Sequence, residues 1–138
     1  MIVAPIDELT LYPVEDRGKP NLERIPIFVN NTLNAGCYGI MVGHTASDET
    51  VNPYQDNLFW FGDGVLNAGD WIFLYTGKGE PKSNDLPQSP NVKLYSVHWG
   101  RGQTMFANSN IVPVLFRVDA VEVGKSPNDV PQLNNINT

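Results

Sequence analysis

Arg24-Ile25-Pro26-Ile27-Phe28-Val29-Asn30 alternates its apolar residues in steps of two, with Ile25, Ile27 and Val29 on one face and Pro26 and Phe28 on the other. A strand turns successive side chains to opposite faces, so this spacing predicts a pleated segment with one face in a core. The same period recurs outward along the chain. In 38–42, Tyr38, Ile40 and Val42 share a face, with Gly39 and Met41 behind. In 71–76, Trp71, Phe73 and Tyr75 oppose Ile72 and Leu74, and in 93–99, Tyr95, Val97 and Trp99 oppose Leu94, Ser96 and His98. In 112–118, Val112, Val114, Phe116 and Val118 oppose Pro113, Leu115 and Arg117. These runs are rich in the β-branched and aromatic residues that fit a pleated, half-buried surface. Two weaker strands complete the series. Residues 9–14 read as an early edge strand, because Pro13 cannot donate to a ladder. Residues 58–61 are short and wholly apolar, which predicts cover on both faces. Val121 and Val123 fall out of step with Val118, which predicts a bulge or bend near Asp119.

Composition agrees. The 138 residues suit one domain, expected over 1–123. Twelve Gly, eleven Pro and fifteen Asn stand where charged residues, at only 17%, are scarce. Gly and Pro break helices and Asn favours turns, so helix is expected to stay below about 10%. Gly62-Asp63-Gly64 and Ala68-Gly69-Asp70 are tight-turn signals. Residues 46–56 and 79–91 read as polar loops, and 124–138, with Pro127 and Pro131, as a flexible tail. Seven or eight mostly antiparallel strands so separated suit an all-β sandwich.

Three segments, in order, resemble the lamin-tail domain. The first is Leu33-Asn34-Ala35-Gly36-Cys37-Tyr38-Gly39-Ile40. The second is Phe59-Trp60-Phe61-Gly62-Asp63-Gly64-Val65-Leu66-Asn67-Ala68-Gly69-Asp70-Trp71 with Leu74-Tyr75-Thr76-Gly77-Lys78-Gly79. The third is His98-Trp99-Gly100-Arg101-Gly102 with Met105-Phe106-Ala107-Asn108. The resemblance spans residues 22–118 and departs at Ser109-Asn110-Ile111, where the family places Gly-Asp. It implies an immunoglobulin-like β-sandwich of bacterial or phage type, with a role in binding or assembly.

Each catalytic chemistry requires its own residues at its own spacing. Gly77-Lys78-Gly79-Glu80 lacks the spacing of a phosphate loop, and no Ser or Thr follows Lys78, so a hairpin turn explains it. No nucleophile elbow and no His-Glu-x-x-His zinc helix occurs. His44, His98 and Cys37 lack the paired spacing of metal ligands. His98 is expected to bond a backbone carbonyl, His44 to be solvated, and Cys37 to fill space near the core. A thiolate at Cys37 would need a basic neighbour such as His44. Asp56, Asp63 and Asp70 could meet as calcium ligands but lack dense Asp spacing, and turn roles explain them. No metal and no cofactor is expected.

One segment stands out as a binding candidate. His98, Trp99, Arg101, Met105, Phe106 and Asn108 combine aromatic, Arg and amide groups, the composition enriched at recognition hot spots. The competing explanation is that Trp99 and Phe106 are core residues joined by a tight turn at Gly100 and Gly102. Read as a surface, the segment makes the chain a non-enzymatic module that recognises a protein partner or self-associates. The alternatives are a carbohydrate-binding sandwich, which needs exposed coplanar aromatics beside amides, and a small hydrolase or metal-dependent enzyme. The net charge of −6 argues against nucleic acid. No apolar run reaches the ~20 residues of a membrane span. Residues 1–11, with Asp7 and Glu8, lack the pattern of a signal peptide, and one cysteine suits a reducing compartment, so a cytoplasmic location is expected.

Overall fold

The computed structural model describes residues 5–46 and 50–126, the side chain of Pro90 excepted. Ten strands run through them: β1 (Leu9–Leu11), β2 (Arg24–Val29), β3 (Leu33–Asn34), β4 (Tyr38–Thr45), β5 (Val51–Trp60), β6 (Val65–Leu66), β7 (Trp71–Tyr75), β8 (Lys82–Leu86), β9 (Ser89–His98) and β10 (Ile111–Arg117). One 3-10 turn at Ala35–Cys37 is the sole helical element among the described residues. The chain is an all-β sandwich. One sheet has the order β1-β2-β7-β9-β8, the other β10-β4-β5, and β3 and β6 pair as a short ribbon. Every pairing is antiparallel except that of β7 with β9, so β9 lies between two strands that precede it in the chain.

The alternation places the core where the sequence predicts. Ile25, Ile27 and Val29 of β2 are wholly buried and meet Tyr38, Ile40 and Val42 of β4 across the sandwich. Each such apolar side chain contributes roughly 1.5–3 kcal/mol on burial. Ile72 and Leu74 of β7 also point inward, which leaves Trp71, Phe73 and Tyr75 on the outer face of the larger sheet. Between β6 and β7 the chain reverses at Gly69, whose φ of +95° is a conformation that L side chains rarely adopt. Asp70 completes this turn from a buried position, its carboxylate accepting from the N–H groups of Asn67 (2.8 Å) and Lys93 (2.9 Å).

A polar clasp joins the two sheets along one side. The Tyr38 hydroxyl donates to Glu8 Oε2 at 2.6 Å, and Arg117 Nη1 donates to the same oxygen at 2.8 Å. The Tyr38 hydroxyl, a backbone N–H and the Arg117 guanidinium hold the Glu8 carboxyl down to about 2. Burial, with the Glu8 carboxylate beside it, pushes Tyr38 up to about 12.

Four expectations are corrected. The segment read as a loop at 46–56 holds the first half of β5, residues 47–49 lying outside the described residues. Its ladder to β4 shifts register between Met41 and Gly43, so residues 54–57 bulge outward, with Asp56 at φ +60°. Residues 58–61 are not covered on both faces. Leu58 and Trp60 are 56% and 53% exposed, because β5 is the edge of its three-stranded sheet and turns both side chains away from the core. The loop at 79–91 is largely the β8–β9 hairpin, whose exposed polar residues are ordered by ladder hydrogen bonds and not by burial. Neither a bulge nor a bend forms at Asp119. β10 ends at Arg117, and Val121 and Val123 are 76% and 81% exposed. Most of the expected tail, residues 127–138, lies outside the described residues, and 124–126 carry no regular structure.

Candidate functional site

Past His98 the backbone keeps its parallel course beside the end of β7. The N–H groups of Trp99, Gly100 and Arg101 donate to the carbonyls of Tyr75 (2.8 Å), Gly77 (3.0 Å) and Thr76 (2.9 Å). Gly100, at φ +82°, then turns the chain away from the sheet. The loop that follows is fixed by a residue just before β2. Glu23 is 1% exposed, and its carboxylate accepts four hydrogen bonds: from Thr76 Oγ1 (2.8 Å), Met105 N (2.7 Å), Phe106 N (3.1 Å) and Gly18 N (2.7 Å). Arg17 Nη1 secures the far end, donating to the carbonyls of Phe106 (3.2 Å) and Ile111 (3.1 Å). A buried carboxylate left without donors would be costly, and one so fully satisfied holds its loop in a single conformation.

This anchoring presents Arg101. Its guanidinium lies 5.7 Å from the centre of the Trp99 ring and donates to Asn57 Oδ1 on the outward bulge of β5. Between the loop and that bulge opens a cleft of about 670 Å³. Arg101, Asn57, Gln103 and Thr104 supply its polar side, and Val42 and Met105 part of its apolar side. Among the described residues no carboxylate lies within ion-pair distance of Arg101. An Arg without an acid beside it, in a chain with an excess of acids, is a ready partner for an incoming anion.

The other expected site residues divide. Phe106 is wholly buried, so its ring belongs to the core and lies beyond a partner's reach. Trp99 is half-buried, packing on Phe59 with ring centres 5.7 Å apart, and Met105 both packs on the core and lines the cleft. Asn108 is exposed and serves a turn, its side chain accepting from Asn110 N at 2.9 Å. His98 lies on the opposite face of its strand, stacked on Tyr75 with ring centres 5.2 Å apart. The expected carbonyl bond is not seen at Nδ1, which is buried without a partner among the described residues. The loop thus brings Trp99, Arg101 and Met105 to one site and sends His98, Phe106 and Asn108 elsewhere.

Cys37 is corrected too. It is exposed at the end of the 3-10 turn and fills no core space, since the turn directs Ala35 inward instead. His44 is exposed, as expected, and stands on β4 beside Tyr54. Asp70 is consumed by its turn, while Asp56 and Asp63 are exposed on β5 and the turn after it. Among the described residues no three His, Cys, Asp or Glu side chains gather as metal donors. Sequence reasoning missed Glu23, Arg17 and Asn57. Only Glu23 carried a signal: it is in phase with Ile25, Ile27 and Val29.

No family model, no curated protein and no solved structure matches the chain.

Proposed function

We propose that the protein is a non-enzymatic binding module whose cleft seats a carboxylate presented by a protein partner. The observation that carries this reading is Arg101, held between Trp99 and Asn57 without an acidic partner among the described residues. Its planar guanidinium still has donors to offer in a fork that matches a carboxylate. The titratable side chains of the cleft are Arg101 and Tyr54, a set suited to holding a charged group and poor in general bases or nucleophiles. The lamin-tail resemblance, carried by the Gly-Asp and Trp-Gly turns, favours the same class of role. The test is a peptide array in which each acidic sequence is paired with its amide-blocked form, probed with wild type and Arg101→Ala. Capture of the acidic forms alone, lost in Arg101→Ala at unchanged melting temperature, is expected. Capture indifferent to the carboxylate would overturn the reading.

Self-association is a second reading, favoured by a different surface. On the outer side of the smaller sheet, Leu58 and Trp60 are more than half exposed beside Met41, Val114 and Phe116. Apolar side chains contiguous over three strands favour burial against another surface. Sugar binding is supported less. The aromatic rings of the larger sheet's outer face, Tyr12, Phe28, Trp71 and Phe73, meet at 46° to 76°, not in a common plane.

A further inference from the structure

On the outer face of the larger sheet, Tyr12, Trp71 and Phe73 border a second, smaller cavity of about 230 Å³, with Pro26 and Leu94 among its lining. Trp71 stands at 46° to Tyr12, with ring centres 5.1 Å apart, and at 76° to Phe73, with centres 6.2 Å apart. Rings at such angles make a corner, which suits a compact, rounded group and not a flat one. The one ionisable side chain of this cavity besides Tyr12 is Glu15, 48% exposed. Arg24 engages Glu15 Oε2 at 2.5 Å, and among the described residues no donor reaches Oε1. The same face already holds a cation over its rings: the Arg24 guanidinium lies 5.7 Å from the centre of Phe73 and 6.0 Å from that of Tyr75.

We infer that this aromatic cup binds a small quaternary ammonium compound. Four features select that chemistry. Ring faces attract a cation through their quadrupoles, most strongly at Trp. Glu15 and Asp16, both paired with Arg24, offset the guanidinium beside the cup so that it does not repel a second cation, and the excess of acids in the whole chain adds a favourable field. A quaternary nitrogen bears no N–H, so it enters a cup of this apolar lining without leaving donors unsatisfied, which a primary ammonium would not. The cavity is about a third of the volume of the Arg101 cleft, room for a head group and not for a run of peptide. The inference is independent of the role proposed for Arg101.

Calorimetric titration of the full chain with choline, and with its uncharged carbon isostere 3,3-dimethylbutanol, tests it. Choline is expected to bind at least ~10-fold more tightly than the isostere, since both fill the same volume and only one carries charge. Phe73→Leu keeps apolar bulk but removes a ring, and Glu15→Gln removes the charge at a half-exposed position. Each should weaken choline at least ~3-fold, within the range measured for single cation–π partners. Arg101→Ala should leave choline binding unchanged, which separates failure here from failure of the cleft. Equal affinity for choline and the isostere, or no heat from choline up to high millimolar, would overturn the site. Capture of a trimethyl-lysine peptide in clear preference to choline would overturn its assignment to a small molecule.

Discussion

A Cβ added to Gly69 would stand 2.8 Å from Cγ1 of Val92, at a φ where side chains are already strained. Gly69→Val is therefore expected to cost about 1–3 kcal/mol, whereas Asn67→Ala, two residues earlier and exposed, should stay within about 0.5 kcal/mol. Urea melts of both variants check this, and equal midpoints would refute it. Glu23 is the sharper case. Glu23→Gln replaces an oxygen that receives donors by an NH2 group that is itself a donor, so at least one of the loop amides loses its acceptor. The expected cost is about 1–3 kcal/mol, with faster hydrogen exchange at the Met105 and Phe106 amides than at those of β2. Unchanged exchange at those two positions would show that the loop is held by something else. The position of Glu23 was legible in principle, since it continues the inward phase of Ile25. Its partners were not, because Thr76 and Met105 are far off in sequence and nothing local encodes their approach.

At the scale of elements, legibility followed burial. β2, β4 and β7 alternate because one face of each packs in the core, and alternation survives in the sequence. β8, with Lys82, Ser83, Asn84 and Asp85 all exposed, buries almost nothing, so no hydrophobic period marks it. The Arg101 cleft was half legible: the loop that bears Arg101 stood out by composition, whereas Asn57 across from it lay on a bulge that no pattern announced. The clasp between Glu8, Tyr38 and Arg117 makes a prediction about pH. The Glu8 carboxyl is lowered from 4.5 to about 2, so its contribution is complete above 4.5 and is lost as pH falls towards 2. Tyr38 is raised from 10.0 to about 12, so its contribution is complete below 10.0 and is lost as pH rises towards 12. Glu8→Gln should therefore flatten the fall of stability at both extremes, in acid by removing the carboxylate and in alkali by removing the charge beside the phenol. Thermal melts across pH 2–12 measure it, and an unaltered acid limb in the variant would count against the clasp.

The described residues offer three unlike surfaces: a cleft whose Arg101 meets no acid among them, an aromatic cup, and the outer side of the smaller sheet. The last bears on oligomeric state. Leu58→Lys places a charge at a position 56% exposed, with little cost to the fold, and should abolish any concentration-dependent association that wild type shows in sedimentation velocity. A dimer that persists in the variant would shift attention to the other sheet. The order of strands carries a further consequence, for the chain as it is being made. β9 is laid down last of its sheet yet occupies the gap between β7 and β8. Until it arrives, β7 is a central strand with one flank bare, its Trp71, Phe73 and Tyr75 alongside and no partner yet synthesised. A nascent chain that stalls after Gly79 therefore exposes a ladder ready to pair with any other chain, and the β8–β9 hairpin is what seals it. Release of the chain before that hairpin emerges should give a product that aggregates, whereas the chain completed through β10, which also covers the flank of β4, does not.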